Sequence, residues 1–244
     1  MIRRPITRRL RPLVTVVLAV LALTALAPSS RAAGLRPTVL LIGDSNIYGQ
    51  LGRALEADLV AQGFRVVRRG KPTSGLARPE FFDWFVEARR LLDLTHPSSV
   101  VMLFGGNDGQ RLRFRDRSLG TIRWEDEGRW RIVYETRVRR LMELLRGEDR
   151  RVVLLSPTNR APPRARERMG RVRAVMQQAV AGLDRVSYVD MFPYTSDDRG
   201  RWLSAGRDAY GHRVIYRRGD GIHLTPEGGV EVARRMLPAL TRLL

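Results

Sequence analysis

Three side-chain types that together activate a hydroxyl stand in two short segments near opposite ends of the chain. Near the start, Val39-Leu40-Leu41-Ile42 runs into Gly43-Asp44-Ser45-Asn46. Consecutive aliphatics predict a buried strand, and Gly-Asp-Ser predicts the sharp turn that ends it. A serine on such a turn stands at the sheet edge with its hydroxyl outward, where a nucleophile must be. A hydroxyl needs a base, and the chain has three histidines. His96, between Thr95 and Pro97, reads as a surface or cap residue at a helix end. His212 lies in a polar stretch where nothing nearby orients it. His223 lies in Asp220-Gly221-Ile222-His223-Leu224-Thr225, a tight loop before the last helix. A carboxylate three residues earlier in a turn reaches imidazole Nδ1, fixes the tautomer and leaves Nε2 for the serine. An Asp-Gly turn whose Asp and His only satisfy loop backbone accounts for this segment equally well.

Acyl transfer also needs donors aimed at the oxyanion. Three candidates fall on three separate loops: the backbone N–H of Ser45, the backbone N–H of Gly75 and the side-chain amide of Asn107. Glycine lets backbone approach a substrate closely, though Gly75 also fits an ordinary turn, and Asn107 also fits a cap for its own loop. A metal site is a poor fit. There is no cysteine, and no second histidine or carboxylate cluster joins Asp220 and His223. No cofactor is expected.

The elements that must position these residues alternate. Strands are predicted at Val39–Ile42, Phe64–Val67, Ser99–Phe104, Arg151–Leu155 and Arg185–Val189. Helices are predicted at Leu51–Val60, Pro79–Leu94, Arg131–Leu145, Pro162–Ala181 and Pro226–Leu244, the last capped by Thr225. Residues Gln110–Trp130 have no clear period and read as an insertion, functional or a lid, and Phe192–Arg218 as irregular and polar. Alternating strands and helices predict a parallel sheet covered on both faces, with sites at the carboxyl ends of its strands.

Residues 1–33 have the anatomy of a secretory signal. Arginines 3, 4, 8, 9 and 11 precede the run Leu13–Ala27, and small residues follow. The run is shorter than the roughly 20 residues of a spanning helix, so cleavage is favoured over an anchor, and membrane association would come only through this segment. Residues 34–244 then form one domain, exported to the periplasm or beyond. The formal net charge is +19, with Lys71 the only lysine. The basic residues are scattered and carry no recognised nucleic-acid motif, so nucleic acid is not an expected partner. An anionic polysaccharide or anionic lipid headgroups suit the charge better.

Gly43-Asp44-Ser45-Asn46, Gly75, Gly105-Gly106-Asn107-Asp108 and Asp220-Gly221-Ile222-His223 resemble, in order, the four signature blocks of the SGNH (GDSL) hydrolase superfamily. Lys71–Pro79, Asp83-Trp84, Trp130, Tyr134 and Arg137-Val138 resemble a bacterial exported branch labelled as a domain of unknown function. The resemblance implies a flavodoxin-like three-layer α/β/α sandwich with a central parallel sheet of about five strands. It implies a metal-free serine esterase with Ser45 as nucleophile, His223 as base and Asp220 as its orienter. Ser45, Gly75 and Asn107 would form the oxyanion hole. Asn46 stands where leucine is usual, which raises the question of whether it contacts substrate. The favoured substrate is an O-acetylated cell-envelope carbohydrate, with Trp124 and Trp130 as candidate sugar platforms. A lipid-directed esterase or thioesterase with Phe81, Phe82 and Phe85 lining an acyl groove is an alternative. A non-catalytic glycan-binding module is another.

Overall fold

A computed structural model describes residues 36–244; the expected signal segment, 1–33, lies outside them. Five strands form one parallel sheet: β1 (Thr38–Gly43), β2 (Arg65–Gly70), β3 (Ser99–Leu103), β4 (Arg151–Leu155) and β5 (Val186–Val189). Their order is β2-β1-β3-β4-β5, with every pairing parallel. The helices are α1 (Gln50–Ala61), α2 (Trp84–Thr95), α3 (Glu127–Arg146), α4 (Pro163–Val180) and α5 (Pro226–Thr241).

Strand alternation splits the interior into two cores. Leu40, Ile42, Val100, Met102, Val152 and Leu154 face α2, α3 and α4. Val39, Leu41, Val101, Leu103, Val153 and Leu155 face α1 and α5. A sheet buried on both faces needs aliphatics at every central position, which is why these strands read as unbroken apolar runs. The chain leaves β1 outward to β2 and then crosses back to β3, so the sheet's switch point lies between β1 and β3, where α/β proteins place their sites. No helix among the described residues is long and apolar enough to cross a membrane.

Several expected boundaries move, each for a physical reason. Strand β2 runs on to Gly70, past the expected end at Val67, because Arg69 and Gly70 still pair with Ile42 and Gly43. It is an edge strand whose side chains are only partly covered, so its apolar signal ends before its ladder does. Helix α2 starts at Trp84, not Pro79, because the Asp83 carboxylate accepts from the N–H groups of Phe85 and Val86 and fixes the start there. Phe81 consequently lies outside the helix and is 44% exposed. Helix α3 begins at Glu127 behind an Asp126 cap, so Trp130 belongs to a helix and not to the insertion. The shortened insertion holds a small hairpin, Leu112–Arg113 against Thr121–Ile122. The stretch expected to be irregular holds a helical turn, Phe192–Thr195, and a hairpin, Ala205–Arg207 against Arg213–Ile215.

Close backbone approach fixes α1 against the turn that carries Ser45. A Cβ on Gly52 would lie 1.9 Å from the Ile47 carbonyl oxygen, whereas one on Gly170, exposed in α4, would meet nothing within 4 Å. Alanine normally stabilises a helix over glycine by about 1 kcal/mol. Gly170→Ala should therefore raise unfolding free energy by roughly that amount, while Gly52→Ala should lower it by about 1–3 kcal/mol. Urea unfolding of the two variants beside wild type checks the opposite signs.

Candidate active site

The turn after β1 is held by its neighbour strand. Asp44 N–H donates to the Leu103 carbonyl at 3.0 Å, and a Cβ on Gly43 would lie 2.0 Å from that same oxygen. Only glycine permits this approach. Asp44 then caps a short helix, Ser45–Tyr48. Its Oδ1 accepts from the Asn46 backbone at 2.9 Å and from the Asn46 amide at 3.0 Å. The Asn46 amide is thus turned onto Asp44, and the residue is 5% exposed. Ser45 becomes the first helical residue, and its N–H finds no acceptor among the described residues.

The second segment arrives by the last crossover. In the turn before α5, Asp220 Oδ1 accepts from the N–H groups of Ile222 and His223 at 2.8 and 2.9 Å. Its Oδ2 lies 2.7 Å from His223 Nδ1, and His223 Nε2 lies 3.0 Å from Ser45 Oγ. Both readings of this segment hold at once: one carboxylate oxygen satisfies the loop and the other orients the ring. Gly221 takes φ +68°, and a Cβ there would press on Ala161 at 2.7 Å. Buried Arg217 braces the loop by donating to the carbonyls of Ile222 and Asn159, and Thr225 caps α5 through the Gly228 N–H. Partial burial works to raise the Asp220 pKa. The hydrogen bonds from the His223 ring and from the two N–H groups outweigh it and lower the carboxyl to about 2.

The third segment is the loop Ser74–Ala77 against Asn107-Asp108. Asn107 donates one amide N–H to the Ser74 carbonyl at 2.9 Å, which ties the two loops together and leaves its other N–H without an acceptor among the described residues. The Gly75 N–H finds no acceptor among the described residues. Under it lies Asp108, 1% exposed; a Cβ on Gly75 would be 2.1 Å from Asp108 Oδ1. Asp108 accepts from Ala77 N–H at 2.8 Å and from the Tyr134 hydroxyl at 2.7 Å. Burial raises its pKa against these donors, and burial likewise raises the Tyr134 phenol, with the Asp108 charge adding to it. Trp84 Nε1 donates to Ser74 Oγ at 3.0 Å, and Arg137 donates to the Leu76 carbonyl at 2.8 Å.

The structure brings Ser45, Asp220 and His223 together and ties the loops of Gly75 and Asn107 to each other. Sequence reasoning gave Asp108 no role and missed Arg160 and Arg217. Arg160 Nη2 reaches Gly106, where a Cβ would lie 2.4 Å from it and 3.1 Å from Asp44 Oδ2. Burial lowers the Arg160 pKa and raises that of Asp44. A basic residue just after a strand-end Ser-Pro was the one available signal. Other expectations are corrected. Trp130 is fully buried, stacked on Tyr134, with its indole N–H on the Gln110 carbonyl. Trp124 lies edge-on to it beneath Arg171, so the two indoles pack the insertion instead of presenting a sugar platform. Phe82 and Phe85 pack against the core. His96, by contrast, is the helix-end cap it was expected to be, in the left-handed conformation after α2. His212 does have an orienting partner, Asp208 at 3.3 Å, but its ring is 77% exposed. Among the described residues no group of three or more His, Asp or Glu side chains could hold a metal ion.

This fold recurs in solved esterases. A GDSL-like lipase from Bacteroides thetaiotaomicron superposes with TM-score 0.55 at 16% identity, over 87% of this chain and 94% of the other. An acetylxylan esterase from Geobacillus stearothermophilus superposes with TM-score 0.52 at 18% identity, over 84% and 94%. A lipase from a goat rumen metagenome gives 0.53 at 13% identity, over 83% and 97%. No curated protein sequence matches the chain. Residues 38–239 match the model of a family described as protein of unknown function, DUF459, and the chain belongs to that family.

Two outcomes follow from this geometry. Tyr134→Phe leaves Asp108 Oδ2 without its donor in the interior and should cost about 1–3 kcal/mol in urea unfolding. Asp220 has a folded-state pKa below its unfolded value. Its contribution to stability is therefore complete above the ordinary 3.8 and is lost as pH falls through about 2. Asp220→Asn should flatten the stability-versus-pH curve in that window, as urea unfolding at a series of acidic pH values checks.

Proposed function

We propose that this protein is an exported serine esterase that removes acyl groups, O-acetyl above all, from cell-envelope carbohydrate. The observation that carries the reading is the relay Asp220–His223–Ser45, with 2.7 Å and 3.0 Å links. In the tautomer that donates Nδ1–H to Asp220, His223 Nε2 accepts the Ser45 proton as Oγ attacks the ester carbonyl. The N–H groups of Ser45 and Gly75 and the free amide N–H of Asn107 stabilise the tetrahedral oxyanion. The imidazolium returns its proton to the departing sugar hydroxyl, leaving an acyl-Ser45. Water, deprotonated by His223, then releases the carboxylic acid and restores the serine.

Export is supported by the N-terminal sequence anatomy alone. The carbohydrate substrate is supported by the fold shared with an acetylxylan esterase and by the arginine-rich composition. The lipid-directed alternative keeps the support of a fold shared with two lipases, but of its three groove residues Phe82 and Phe85 pack against the core and only Phe81 is exposed.

Wild-type protein should hydrolyse p-nitrophenyl acetate, and Ser45→Ala should reduce the rate to background. Asp220→Asn should lower kcat by about 10²–10⁴-fold with an intact fold. A fluorophosphonate should label wild type and not Ser45→Ala. Equal rates in wild type and Ser45→Ala, with no labelling of either, would overturn the serine mechanism.

A further inference from the structure

Resting on the hydrolase reading of this site, we propose that the cleft beside Ser45 selects esters carried on an anionic molecule, whose carboxylate or phosphate is held by Arg53 and Arg218. A cleft of about 300 Å³ opens directly on Ser45 and His223, at the small end of the range for small-molecule sites. Arg53, in the first turn of α1, and Arg218, in the turn that carries the base, both line it. No aspartate or glutamate does.

The two guanidiniums are exposed and unengaged. Neither makes an ion pair or a side-chain hydrogen bond with the described residues, whereas Arg68 nearby is bound by Glu56 at 2.6 Å. Nothing else on that wall cancels their charge. Helix α1 begins at Gly49 with no side-chain cap and no acid in its first turn, and Asp220 is taken up by His223. Arg218 is not loosely placed: its N–H donates to the His223 carbonyl at 2.9 Å and its own carbonyl accepts from Gly221 at 3.1 Å. Its backbone is thereby fixed in register with the catalytic ring. Two like charges held in one small cleft repel each other. A planar guanidinium fork is matched to carboxylate and phosphate oxygens. A substrate with an anionic group near its ester relieves the repulsion, and a neutral one does not.

The test uses the full chain carrying Ser45→Ala, so that nothing is turned over, titrated with methyl galactoside, galacturonate and galactose 6-phosphate. At least one charged sugar should bind tenfold or more tightly than methyl galactoside. The better of the two tells carboxylate from phosphate. Arg53→Gln/Arg218→Gln should abolish the preference. Arg89→Gln/Arg140→Gln, which removes two exposed charges elsewhere, should preserve it. Equal affinity for all three sugars would overturn the proposal. So would an equal loss in both double variants, which would assign the effect to overall charge. The readout is binding without the nucleophile, so an absence of esterase activity in wild type would count against the hydrolase reading and not against this result.

Discussion

A carboxylate without access to water must be given donors by the protein, and Asp108 collects them from separate parts of the chain. The Ala77 N–H comes from the loop after β2 and the phenol of Tyr134 from α3. Losing either would strand a buried charge. The loop 74–77 is therefore clamped at the height where Gly75 presents its N–H. Trp84 and Arg137 fix its other side through Ser74 and the Leu76 carbonyl. Residues remote from Ser45 thus set where the Gly75 N–H stands: Gly75 has room for a hydrogen and no more, because its Cβ would fall on Asp108.

The same economy holds at the sheet's switch point. Strands β1 and β3 diverge in their connections there, and the gap must be closed by backbone. Gly43 closes it by lying against the Leu103 carbonyl, and Asp44 N–H bonds that oxygen. Ser45 is thereby held at a helix start with an unengaged N–H, and the Asp44 carboxylate stabilises that start by accepting from Asn46. His223 comes from the opposite end of the sequence, so its placement depends on α5 packing over α1, where a Cβ on Gly229 would lie 2.9 Å from Gln50. Ser45 and His223 meet because the turns that carry them lead directly into this one packed helix pair.

Much of this was legible in the sequence because its signals are local. Unbroken aliphatic runs gave the central strands, and Asp220 three residues before His223 gave the carboxylate–imidazole pair. What stayed hidden depends on contacts between distant segments. No local pattern marks Arg69 and Gly70 as strand, since only their partners on β1 make them so. The aromatic run Phe81–Phe85 suggested one helix face, but the Asp83 cap divides it. Trp130 and Trp124 looked available to a ligand because a charged stretch surrounds them, and only the tertiary fold shows Tyr134 and Arg171 against their rings. Asp108 and Arg160 were invisible as structural ions because burial is not a property of the sequence.

The charge of the chain illustrates the same limit. A formal +19 carried almost wholly by arginine suggests a uniformly cationic surface, yet the arginines divide into two populations. Arg137, Arg217 and Arg168 donate to backbone carbonyls of loops around the site, and Arg173 is held by Asp190. These are struts, and the planar fork with several donors makes arginine suited to them where lysine, a point charge, is not. A strut arginine can be removed from the count of charges offered to a partner, because its hydrogen bonds are already committed. Arg53 and Arg218 belong to the other population, with free forks beside Ser45. Composition counts both kinds alike; only the hydrogen-bond partners separate an arginine that holds the protein together from one left open to a ligand.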